Sequence, residues 1–68
     1  MAKKILNRIR VVLAEKDRSN KWLAEQLDKT PATVSKWCGN KMQPSLETLF
    51  EIAKTLDVDV RELLVSSK

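Results

Sequence analysis

SNKWLAEQLDKTPATVSKWCGNK, residues 19–41, holds two short helical patterns joined by a tight break. The first runs from Lys21 to Leu27 and puts Leu23, Ala24 and Leu27 on one face. The second opens at Thr30-Pro31 and carries Val34 and Trp37 on its inner face. Helices this short are not stable alone in water. They make sense as one unit, docked on a core and presenting the second helix outward.

The local chemistry supports that unit. Ser19 suits an N-cap, because its hydroxyl can accept from an orphan backbone N–H of the first helix. Ala24 is small enough for the second helix to cross closely behind it. Asp28-Lys29 forms the turn. Thr30 caps the second helix, and Pro31 falls at its first position, where a missing N–H costs nothing. With Val34 and Trp37 inward, a rotation of about 100° per residue turns Ala32 and Lys36 the other way. Thr33 and Ser35 lie on the flanks. The outward face is small, polar or basic, and it fits a groove about 12 Å wide. Gly39-Asn40 ends the helix, both types tolerating a left-handed backbone.

Outward from this pair, a first helix is expected from about Lys3 to Lys16, burying Ile5, Leu6, Ile9, Val12 and Leu13, with Val11 off the stripe. A fourth helix is capped by Ser45 and buries Leu46, Leu49, Phe50, Ile52, Ala53 and Leu56. Asp59 starts a last short helix with Glu62 as its capping-box partner. The expected fold is all-α, a compact bundle of five short helices in a single domain over residues 1–68.

Composition narrows the function. The chain has 68 residues, no histidine and one cysteine, Cys38. An internal disulfide is impossible, and the commonest general base and metal ligand are missing. Cys38 reads as a small, semi-buried apolar residue. No paired carboxylates or Gly-rich phosphate loop suggest an enzyme. No metal, cofactor or small-molecule site is expected. No stretch reaches the roughly 20 apolar residues of a membrane span, and the chain is expected to be cytoplasmic. Thirteen Lys and Arg face nine Asp and Glu, a formal charge of +4. The cations cluster: Lys3, Lys4, Arg8 and Arg10 at the start, then Lys29, Lys36 and Lys41 around the outward helix. From Pro44 onward acids outnumber bases. One end of the molecule should attract a polyanion.

The whole pattern resembles the lambda-repressor/Cro-like, or XRE, family of helix-turn-helix domains. Leu23-Ala24 with Leu27, then TPATVSKW, then PSLETLFEIAKTLDVDVRELL carry the resemblance, from about Ile5 to Leu64. It implies a DNA-binding bundle in which helices 2 and 3 form the helix-turn-helix and helix 3 enters the major groove. Carried over by position, Thr30, Pro31, Ala32, Thr33 and Lys36 match base-facing positions, with Ser35 beside them. Asn20 matches a phosphate-gripping residue, and Ser19 and Lys21 adjoin it. Asn40, Lys41 and Gln43 match a loop that touches the DNA backbone, and Lys29 in the turn joins the phosphate set. The chain departs from the family at two places. Asp28 stands where the turn commonly has Gly. Cys38-Gly39-Asn40 replaces Glu-X-Gly, so that Asn40 must supply the left-handed residue.

Each assignment has a plainer competitor. Lys36 reads as a base contact toward guanine, ahead of a phosphate contact or a solvated lysine. Trp37 is core. Trp22 is better read as packing over the seam of helices 1 and 2 than as a phosphate contact. Val58, Val60, Leu63 and Val65 exceed what one short helix needs, and suggest a homodimer seam over scattered surface apolars. The leading function is a sequence-specific transcription regulator, a repressor binding a pseudo-palindromic double-stranded DNA operator as a dimer. The runner-up is an antitoxin or protein-interaction module for which DNA is secondary.

Overall fold

The computed structural model describes residues 5–66. Four α-helices follow in order: α1 (Ile9–Glu15), α2 (Asn20–Leu27), α3 (Pro31–Cys38) and α4 (Leu46–Leu56). A 3-10 turn, Val60–Leu63, comes last. The described residues contain no strand, only an isolated antiparallel bridge between Asn7 and Leu64.

Local chemistry sets the boundaries. Ser19, Thr30 and Ser45 each accept a hydrogen bond from the backbone N–H three residues on, at Trp22, Thr33 and Thr48. Each cap satisfies one of the donors that a helix start leaves unpaired. The helices stop on left-handed residues, and glycine supplies none of them. Asp17, Asp28, Asn40 and Asp57 all have φ 57°, whereas Gly39 sits at −83°. Asn40 takes the left-handed role expected of it. Asp28 shows that a short polar side chain suffices for the turn between α2 and α3.

The core is a single cluster. Ile9, Val12 and Leu13 of α1 meet Leu23 and Ala24 of α2, Val34 and Trp37 of α3, and Leu49, Ile52, Ala53 and Leu56 of α4. Leu63 is fully buried among them. Ala24 is buried where α2 and α3 lie together, as its small size requires.

Three expectations are corrected. The first helix begins at Ile9, not near Lys3, and residues 1–4 lie outside the described residues. Residues 6–8 instead run beside 63–65: the Arg8 N–H donates to the Leu63 carbonyl at 2.7 Å and the Val65 N–H to the Leu6 carbonyl at 3.1 Å. Ile5 and Leu6 are therefore exposed rather than core. The fifth helix is a 3-10 turn of four residues. Asp59 and Glu62 form the expected capping box, but Leu63 must enter the core while Leu64 and Val65 extend back toward Leu6. A longer helix would carry them away. On α4, Leu46 is 67% exposed and Phe50 56%. The buried face centres on Leu49, Ile52, Ala53 and Leu56, and Phe50 lies about 110° around the helix from that centre. Leu46 sits in the first turn, on the edge of the same face.

Candidate functional site

α2 and α3 make the most extensive helix–helix contact in the fold. Between them, the Lys29 N–H returns to the Ala24 carbonyl at 2.9 Å and closes the turn. α3 puts Val34, Trp37 and Cys38 into the core. Pro31, Ala32, Ser35 and Lys36 are exposed and Thr33 is half-buried. Thr30 is exposed, and its hydroxyl is occupied locally: it accepts from the Thr33 N–H at 3.2 Å and shares a hydrogen with the Thr33 hydroxyl at 2.9 Å. The face of α3 turned to solvent is short-chained apart from one cation, Lys36.

The start of α2 offers a second feature. Ser19 and Lys21 are exposed and Asn20 is half-buried. The Ser19 oxygens take the Trp22 N–H at 3.0 Å and the Leu23 N–H at 3.1 Å. The backbone N–H groups of Asn20 and Lys21 have no acceptor among the described residues. The Asn20 Oδ1 accepts from the Cys38 Sγ–H at 3.4 Å. Burial pushes the Cys38 thiol pKa up, opposed more weakly by the positive charge of Arg10. The thiol stays protonated and can donate.

A loop beyond α3 completes the surface, and here the structure divides the predicted set. Lys41 is exposed, with its N–H on the Lys36 carbonyl at 2.9 Å. Asn40 and Gln43 are engaged by other side chains and backbone of the chain, Gln43 while remaining exposed. The Asn40 Oδ1 accepts from the N–H groups of Leu6 and Asn7 at 2.9 and 3.0 Å, and from the Gln43 amide at 3.1 Å. Asn7 answers them. It is 3% exposed, the only buried polar residue of the described chain. Its Nδ2 donates to the Trp37 carbonyl at 2.9 Å and to Gln43 Oε1 at 2.7 Å, and its Oδ1 accepts the Ile9 N–H at 3.2 Å. These amides lash the entering chain to the carboxyl end of α3. A lone Asn within an apolar stripe was the signal for this knot, too weak to identify its role beforehand.

Lys21, Lys29, Lys36 and Lys41 are all exposed, and none forms an ion pair among the described residues. The single ion pair found there joins Arg61 to Asp59, remote in sequence from this region. Trp22 packs against the core, as the packing reading expects, with the Arg18 guanidinium 4.4 Å from its ring centre. That stacking is a cation–π contact, which sequence spacing did not suggest.

The predicted seam does not survive as a stripe. Leu63 is fully buried, so it cannot face a partner in this fold. Val58 and Val60 are partly buried against the core, and Val65 is exposed. No group of three metal-ligating side chains is brought together among the described residues, and no helix there is long and apolar enough to cross a membrane.

Known proteins resemble this chain in sequence and in fold. The family model described as the Cro/C1-type HTH DNA-binding domain matches residues 8–68. A crystal structure described as "a putative DNA-binding protein from Bacteroides fragilis" is 56% identical in sequence. It superposes with a TM-score of 0.88, over 91% of this chain and 100% of that one. No curated protein matches the chain.

Proposed function

The chain belongs to the Cro/C1-type helix-turn-helix DNA-binding family, and from that premise we propose that it is a sequence-specific transcriptional regulator, a single DNA-binding domain over residues 1–68 acting in the cytoplasm. α2, its turn and α3 are the helix-turn-helix, with α3 lying in the major groove. Lys36 reads a guanine edge. Pro31 and Ala32 touch thymine methyl groups, and Thr30, Thr33 and Ser35 complete the base-facing set. Ser19, Asn20, Lys21, Lys29 and Lys41 grip phosphates, where cations and unpaired N–H groups suit an anion. Asn40 and Gln43 serve this set indirectly, by fixing the loop that carries Lys41.

The observation that carries the reading is the division of α3. Its bulky residues are buried and its exposed face is short-chained and cationic. A helix dressed this way can approach base edges that a bulkier face would keep at a distance. Occupancy of a site suffices for repression, and a homodimer would set two copies of α3 about 34 Å apart over a pseudo-palindrome. Val58, Val60 and Val65 remain the candidate seam residues.

Selection of bound duplexes from a random pool, followed by anisotropy titration of the recovered duplex, tests this. Lys36→Ala should weaken binding by roughly 1–3 kcal/mol and relax sequence preference. If each subunit neutralises about four phosphates, a dimer should show a log–log salt slope of roughly −7. Failure to bind any duplex at low ionic strength would sink the reading.

A further inference from the structure

The bond between Cys38 and Asn20 joins the last turn of α3 to the first residue of α2. We infer that Cys38 is a positioning residue for DNA backbone binding: its thiol holds the Asn20 amide oxygen and leaves the amide nitrogen to donate to a phosphate. The inference rests on the proposed DNA-binding reading and adds a residue to it.

An asparagine amide is nearly symmetric in shape, and a phosphate can be served only by its nitrogen end. Free in solvent, the side chain would sample both orientations. A protonated thiol within reach favours one of them, because Sγ–H, though a weak donor, can donate to Oδ1, whereas sulfur is a poor acceptor for Nδ2. Burial keeps the thiol protonated. With Oδ1 engaged, Nδ2 retains both protons and has no acceptor among the described residues. Beside it in the chain lie the unpaired N–H groups of Asn20 and Lys21 and the Lys21 ammonium. The same bond ties the clamp to α3, since Cys38 follows Trp37 in the buried end of that helix. A shift of α3 in its groove would move the residue that orients the clamp. A cysteine that merely filled space would need no partner at Asn20.

A double-mutant cycle on the full chain tests this, with anisotropy titration of the selected duplex at one salt concentration and a melting curve for every variant. Cys38→Ala should weaken binding about threefold to tenfold, the span of one neutral hydrogen bond. Cys38→Ser restores a donor and should bind within about twofold of wild type. In the Asn20→Ala background, Cys38→Ala should have no further effect. A scan of duplexes with single methylphosphonates should find one position at which Cys38→Ala and wild type bind alike. Should Cys38→Ala fail to fold, Cys38→Val removes the donor while filling the site. A loss that persists undiminished in the Asn20→Ala background, or wild-type binding by the donor-free variants, overturns the inference. If Asn20→Ala binds as wild type while Lys36→Ala is weakened, the inference falls and the regulator reading stands. If wild type binds no duplex, both fall.

Discussion

Replacing Asn7 should destabilise the fold by more than any other single polar change. Its amide makes three hydrogen bonds, and their loss is unequal. The Trp37 carbonyl keeps a second bond, from the Asn40 N–H at 3.0 Å. Gln43 is exposed and can turn to water. The Ile9 N–H belongs to a fully buried residue at the start of α1 and has no substitute. One buried orphan donor costs about 1–3 kcal/mol, and each bond whose partner finds an alternative about 1 kcal/mol or less. Asn7→Ala should therefore lose about 2–4 kcal/mol, a large share of the roughly 5 kcal/mol expected of so small a domain. At about 4–8 °C per kcal/mol, the midpoint should fall by about 10–30 °C. Urea unfolding followed by tryptophan fluorescence reads this directly, since Trp37 is buried beside the knot. Asn7→Asp is the sharper control. It keeps an acceptor for the Ile9 N–H but sets a carboxylate against the Trp37 carbonyl. At neutral pH it should be at least as unstable as Asn7→Ala. A loss under 1 kcal/mol for alanine, or an aspartate variant firmer than the alanine one, would refute the reasoning.

The remaining predictions concern the helix ends and the surface. Asp28→Gly and Asp57→Gly relieve a left-handed backbone at the cost of unfolded-state freedom, and each should add about 0.5–1 kcal/mol by thermal melting. Destabilisation would show that the carboxylates hold something. Leu46→Ser and Phe50→Ser should each change stability by no more than about 0.5 kcal/mol, because both side chains face solvent. A much larger loss in urea would return them to the core. Asp59 is held below the usual aspartate range by the hydrogen-bonding Arg61 side chain and then by the Arg61 N–H. A depressed pKa gives stability that is present above the unfolded value and lost as pH falls through the folded one. Asp59→Asn should therefore flatten the acid limb of a melting-temperature profile. A variant profile parallel to wild type would remove Asp59 from the acid response.

The helices with strong local punctuation were legible beforehand. Ser19, Thr30-Pro31 and Ser45 announced the starts of α2, α3 and α4, and Val34 with Trp37 oriented α3 because short spacing on one helix leaves little freedom. The beginning of the chain was not legible. Ile5, Leu6 and Ile9 share a helical period, but the competing state is stabilised by partners thirty or more residues away, at Trp37, Asn40, Gln43 and Leu63. Period alone carries no information about such contacts. Phe50 and Leu46 show the opposite limit: apolar type marks what can be buried, and only the neighbours decide what is. At the candidate site, exposure of Ala32 and Lys36 followed from periodicity. The engagement of Asn40, Gln43 and Cys38 did not, because an amide or a thiol serves a ligand and a scaffold with the same atoms.

Leu6 and Val65 sit across from each other, one bond apart, with the Arg8–Leu63 bond next inward. Tension applied at the two ends of the described chain would thus load these bonds in succession, as a zipper is opened, and never in parallel. Along that line the paired segments resist one bond at a time, whatever the resistance of the bundle to heat or urea. Each bond that parts on that route brings the pull closer to Asn7 and, through it, to the carboxyl end of α3.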